Sequence, residues 1–210
     1  MAIVIDGSSA AGTVNLGTNG TISNLAVGGV PDGTIDTDAL AANAVTAAKA
    51  AGRISGITEA DQWRITANSS DIQNGIFTAN WERNDVNFAK IGTGLSQSSG
   101  VFSFPSTGIY YITYLLTMYA NDTNRRYAGG QIMGTTDNGS NLVELAYVLD
   151  NAYDSGGATY ITNNMDVIFD VTNTTNCKIR FEFTAVGTMT WLGNSNFQQS
   201  GFTCIRLGDT

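Results

Sequence analysis

The sequence predicts an all-β protein, a sandwich or jelly-roll head carried on a Gly/Ala/Thr-rich arm, and three observations carry that expectation. After Ile57 the composition shifts: Trp, Tyr and Phe become frequent, and short apolar-polar alternations are separated by Gly and Asn turns. Closely spaced short strands of this kind are the pattern of all-β sandwiches. Residues 177–184 alternate without a break, with Cys177, Ile179, Phe181 and Phe183 on one face and Lys178, Arg180, Glu182 and Thr184 on the other. That is a strand with one wet face. Residues 109–119 are apolar on both faces, since Tyr110, Ile112, Tyr114, Leu116 and Met118 alternate with Ile109, Tyr111, Leu115 and Tyr119. A two-layer sandwich covers only one face of each sheet, so this strand needs a second burial partner. A subunit interface supplies one; the N-terminal arm of the same chain is the alternative.

The remaining strands are expected at 62–67, 75–81, 88–91, 100–104, 128–134, 141–149, 159–171, 188–191 and 202–207, with the double-faced segment running to Ala120 and the Cys177 strand to Ala185. The domains divide as 1–56 for the arm and 57–210 for the head. Residues 1–33 hold too few apolar side chains to fold alone, so they lie against a neighbour or stay disordered. From Gly33 to Arg53 an imperfect repeat of about ten residues aligns Thr34-Ile35 with Ala44-Val45. The local alternative is an Ala-rich helix capped by Asp36 or Thr37, with a thin stripe of small residues. The arm is therefore expected to be extended or short-helical.

Charge narrows the partners. Ten Lys plus Arg against eighteen Asp plus Glu leave a net charge of −8, which argues against nucleic acid, whose binders draw affinity from cations on phosphates. An anionic membrane surface is disfavoured for the same reason, and no stretch is long and apolar enough to span a bilayer. Met1-Ala-Ile-Val-Ile-Asp6 lacks the basic start of a secretory signal, so synthesis in a cytoplasm without classical secretion is expected. Only 13% of residues are charged, about half the usual share, so Thr, Ser, Asn and Gly must make the polar surface. Neutral groups of that kind suit a protein packed into an assembly. Cys177 and Cys204 read as buried free thiols, with a disulfide as the alternative.

Little in the sequence suggests catalysis. Histidine is absent, which removes the commonest general base and most transition-metal sites. Gly92-Thr93-Gly94 lacks the lysine and helix start of a phosphate cradle and reads as a turn. The carboxylate pairs Glu59/Asp61, Asp166/Asp170 and Asp150/Asp154 read as solvated strand or loop residues. Asp137-Asn138 and Asp150-Asn151 offer hard oxygens for calcium, but turn chemistry explains both. No enzyme, cofactor or metal is expected.

The run Gly100-Val-Phe102-Ser-Phe-Pro-Ser-Thr-Gly108-Ile-Tyr110-Tyr-Ile112, with Phe88 before it and Phe197-Gln-Gln-Ser-Gly201-Phe202 near the end, resembles the globular head of the complement component q family. That resemblance implies a ten-strand jelly roll of tumour-necrosis-factor-like type, homotrimeric, over residues 57–210. It implies that Gly108 and Tyr110 open a central strand lining the trimer axis. Ile112, Tyr114, Tyr111, Leu115 and Phe202 are the further candidates for the axis and core. The arm, with Pro31-Asp-Gly-Thr-Ile35 and Ala44-Val-Thr46, is similar to bacteriophage fibre and virion surface proteins. The two together imply a virion protein: a trimeric tail fibre or knob whose arm docks on other virion proteins, or a capsid decoration trimer. A carbohydrate-active enzyme is a remote third. Rigid scaffolds present recognition loops. The candidates for a host glycan or protein receptor are Asn121, Asn124, Arg125, Arg126, Trp191, Asn194 and Asn196, which mix amides with Arg and aromatic planes; ordinary exposed turns with Trp191 partly in the core are the alternative.

Overall fold

The computed structural model describes residues 56–120, 126–151 and 157–210. The expectations for the arm, for Asn121, Asn124 and Arg125, and for Asp154 lie outside the described residues. No helix among the described residues is long and apolar enough to cross a membrane.

Fourteen strands run in chain order among the described residues: β1 (Ala60–Ile65), β2 (Ser69–Ile72), β3 (Gly75–Ile76), β4 (Trp81–Arg83), β5 (Lys90–Ile91), β6 (Ser96–Ser98) and β7 (Val101–Ser103), followed by β8 (Gly108–Ala120), β9 (Ala128–Thr135), β10 (Val143–Asp150), β11 (Thr159–Val171), β12 (Lys178–Ala185), β13 (Met189–Trp191) and β14 (Gly201–Gly208). All pairings are antiparallel. The first sheet is built on β1-β14-β8-β11 and the second on β7-β12-β9-β10, with the short strands as extensions. Eight strands alternating between two sheets in this way make a jelly roll. The count exceeds the ten expected because the chain adds short pieces at the sheet edges, two of which, β2 and β6, have no apolar alternation to announce them.

The expected strand at 75–81 splits for a physical reason. Gly75-Ile76 pairs with β12 in the second sheet, whereas Trp81–Arg83 pairs with β1 in the first. The chain crosses the sandwich between them, through Asn80 at a positive φ of 62°. Phe77 sits buried at the crossing, its ring 4.6 Å from Phe183 and 6.2 Å from Trp81.

The core lies between the sheets. Phe181 and Phe202 stack at 4.3 Å, Phe102 meets Phe202 edge-on at 4.6 Å, and Tyr114 lies 4.8 Å from Phe181. Aromatic pairs with these offsets add to the gain from burial. β12 behaves as expected, with Ile179, Phe181 and Phe183 buried and Lys178, Arg180, Glu182 and Thr184 half-exposed. Cys177 and Cys204 are buried free thiols. Burial pushes the Cys204 thiol well up, so it packs as a small apolar group.

Candidate functional site

Strand polarity sorts the loops into two ends. β1 begins beside Ile205, which in turn faces Tyr111, so the chain enters the head at the end where β8 starts and β14 finishes. The links 104–107, 136–142 and 172–177 share that proximal end. β8, β10 and β12 finish at the opposite, distal end, at Ala120, Asp150 and Ala185.

The outward face of the first sheet is banded. β8 alternates strictly: Tyr110, Ile112, Tyr114, Leu116 and Met118 are buried, while Ile109, Tyr111, Leu115 and Tyr119 are half-exposed on the side away from the core. Register extends each outward residue into a row across the sheet. Ile168, Tyr111, Ile205 and Ala60 form one row, and Asp166, Thr113, Thr203 and Gln62 form the next, tied by Gln62 Nε2 donating to Thr203 at 2.9 Å. Farther toward the distal end, Tyr160 stacks on Tyr119 with centroids 5.4 Å apart. Ile168 is 63% exposed, Tyr160 67% and Leu207 58%. Apolar side chains this open, held in rows on a rigid sheet, form a surface suited to a partner.

The axis candidates therefore divide. Tyr111 and Leu115 occupy the outward face, whereas Tyr110, Ile112, Tyr114 and Phe202 point into the intersheet core, each no more than 1% exposed. Of the two positions expected, axis or core, these four take the core, because period two sends neighbouring residues to opposite faces and the even-numbered set faces the second sheet. Burial pushes both Tyr110 and Tyr114 phenols up; Tyr110 donates its hydroxyl proton to the Ser106 carbonyl, while the Tyr114 hydroxyl has no hydrogen-bond partner among the described residues. Gly108 has φ 143°, and a Cβ there would fall 2.4 Å from Arg206 Nε and 2.5 Å from the Gly208 carbonyl. Glycine is required at that close approach.

The receptor-loop candidates also divide. Trp191 is fully buried, its ring 4.5 Å from Phe183, so it is a core residue and not a loop plane. The reason is that β13 pairs with β8 at Tyr119 and Met118, which turns the indole inward. Asn194 caps its own turn by accepting from the Asn196 amide at 2.8 Å. Asn196 is exposed beside Phe197, which is 55% exposed. Arg126 is exposed at the distal end, next to Tyr127.

Two features the sequence suggested separately are one device. β1 sends down the carboxylate of Asp61, which is fully buried, and Glu59 precedes it; together they hold the 92–95 turn. Glu59 accepts from the amides of Thr93 and Gly94 at 3.1 and 2.9 Å. Asp61 accepts from the Leu95 amide at 2.7 Å, the Trp63 indole at 2.9 Å and Arg83 through two nitrogens at 2.9 and 3.1 Å. Arg83 then lies 4.6 Å over the Trp63 ring. Successive backbone N–H groups on carboxylates make an anion nest closed from within the chain. Arg64, on the outward side of β1, is buried too, held by Glu82, Asn84 and Asp85.

Of the calcium candidates, Asp137 spends its oxygens on its own loop. It accepts from the Thr135 hydroxyl at 2.6 Å and from Asn141 through backbone and side chain at 2.9 and 2.6 Å. These bonds, the Thr135 hydroxyl first, lower its pKa to about 2. Asp150 accepts from the Asn151 amide. No group of three or more His, Cys, Asp or Glu among the described residues is placed to hold a metal. A pH prediction follows. Because the folded pKa lies below the ordinary 3.8, the contribution of Asp137 to stability is present above about pH 4 and fades as pH falls through about 2. Thermal unfolding of Asp137→Asn should fall below wild type near neutrality and converge with it in acid; a constant difference would contradict the cause assigned.

The two-sheet order, the buried even-numbered face of β8 and the open face opposite define the class: a jelly-roll sandwich of tumour-necrosis-factor-like fold. The solved structure of Eiger TNF from S. frugiperda is similar, with a TM-score of 0.56 at 12% identity over 74% of this chain and 96% of that one. Murine APRIL gives 0.48 at 12% identity over 71% of this chain and 98% of that one. No family model and no curated protein matches the sequence.

Proposed function

We propose that this chain is a virion structural protein whose head assembles as a homotrimer through the outward face of the first sheet and holds its distal loops toward the host surface. The observation that carries the reading is the banded face, apolar at Ile168, Tyr111 and Ile205 and polar at Asp166, Thr113 and Thr203. Three-fold closure is head-to-tail and requires a second, complementary patch. The β10 edge supplies it, with Val143, Tyr147 and Leu149 exposed and Tyr127 close to Tyr147. Apolar surface removed from water at both patches offsets the entropic cost of association.

The phage setting rests on the likeness of residues 1–56 to virion arms and on the low-charge, Thr- and Asn-rich surface. Attachment is favoured over decoration by the placement of the loops, since the chain enters at one end and exposed Arg126 and Tyr127 lie at the other. Immunogold microscopy of intact particles with an antibody to the head tests this. Label on tail tips supports attachment. Label spread over the shell overturns it in favour of decoration, and absence from particles overturns both.

A further inference from the structure

We propose a second binding site on the opposite sheet, a cavity that takes the carboxylated sugar unit of an anionic glycan. It goes beyond the attachment reading and does not rest on it, because the cavity lies toward the proximal end and not among the distal loops. The cavity, about 230 Å³, lies on the outward face of the second sheet toward the proximal end, away from the banded face. That is below the roughly 300–1,000 Å³ of sites for drug-sized ligands, which suits one monosaccharide.

Register builds the floor. Arg180 stands between Met133 and Val101, and Lys178 between Thr135 and Ser103, so the two cations share one face about 7 Å apart. The 138–142 loop makes the wall through Asn138, Gly139 and Leu142. That wall is fixed in advance. Thr135 Oγ1 accepts from the amides of Asp137 and Gly139, Asp137 holds Asn141, and the Asn138 amide donates to the Asn176 carbonyl at 2.9 Å. Asn138 and Gly139 turn the chain at φ of 60° and 92°.

The donors left over choose the ligand. Lys178 Nζ gives one proton to the Thr174 carbonyl at 2.9 Å and keeps two. Glu182 engages Nε and one terminal nitrogen of Arg180, leaving Nη1 without a partner among the described residues. The Asn138 side-chain amide is likewise unengaged there. Two charged donors fit a carboxylate, the amide fits a hydroxyl, and Val101 and Leu142 offer apolar surface to a ring's C–H face. A free phosphate would use the polar donors but leave the apolar wall of Val101 and Leu142 uncovered.

Saturation-transfer NMR on the full-length protein with sodium glucuronate, glucose and inorganic phosphate tests the site. Glucuronate should receive saturable transfer, with glucose silent and phosphate a poor competitor. Lys178→Ala should weaken binding about ten-fold, the loss of one charge-assisted hydrogen bond. Asn138→Ala should weaken glucuronate binding, and Lys90→Ala on the other sheet should do nothing. Melting curves confirm that each variant folds. No transfer to glucuronate, equal binding in Lys178→Ala, or displacement by phosphate at equal concentration would overturn the proposal. Glucuronate binding by a protein missing from particles would sink the attachment reading alone; particles that adsorb with no glucuronate binding would sink the cavity alone.

Discussion

Replacing Asp61 by asparagine is expected to lower the melting temperature of the head by about 10 °C. The carboxylate is fully buried and takes the Trp63 indole, the Leu95 amide and both arms of Arg83. An amide in its place presents N–H to N–H and leaves the arginine beside an uncharged group. Removing one partner of a buried ion pair costs about 3–5 kcal/mol, and each kcal/mol moves a domain of this size by about 2–4 °C. Glu59→Gln should cost less, because its carboxylate is half-exposed and bonds only two amides. A shift below about 2 °C for Asp61→Asn, read by calorimetry, would show that the nest does not hold the 92–95 turn.

Tyr111→Asp is expected to convert the assembled protein to a folded single subunit. Tyr111 occupies the centre of the apolar row, with Ile168 on one side and Ile205 on the other. In the proposed trimer a carboxylate there would be buried against the neighbouring copy, close to Asp166 in the adjoining row. Loss of a central aromatic anchor costs at least about 2 kcal/mol per interface, before the penalty for burying charge. Because Tyr111 points away from the sandwich core, the melting curve of the head should change little. Light scattering at micromolar concentration reads the outcome. A wild-type single subunit, or a Tyr111→Asp variant that keeps three times the chain mass, would remove the trimer and weaken the virion assignment with it.

Much of the sandwich was legible in the residues. β11 falls at 159–171 as the alternation places it, and β8 and β12 differ from expectation by a single residue at one end. These strands have a core face whose side chains are large and whose neighbours in sequence are polar or differently apolar, so period two is audible without structural help. The short strands were not legible in the same way. Ser69–Ile72 and Ser96–Ser98 are held by backbone pairing to β13 and β7, and backbone hydrogen bonds leave no mark on side-chain composition. Trp191 misled for the converse reason: Leu-Gly-Asn-Ser-Asn after it reads as a loop, while one pairing with β8 drew the indole into the core.

The candidate site was visible only as a single strand. That β8 is apolar on both sides follows from Ile109, Tyr111, Leu115 and Tyr119 alone, because alternation is a property of neighbours along the chain. Which of its faces meets the second sheet, and that Ile168 and Ile205 complete the row through Tyr111 while Asp166 and Thr203 complete the next, depends on sheet order and register. The union of Glu59 and Asp61 with the Gly92-Thr93-Gly94 turn, some 34 residues away along the chain, depends on them as well. Local periodicity is written in adjacent residues. Juxtaposition of distant ones is set by which strands find each other, and that choice is made by the whole core at once.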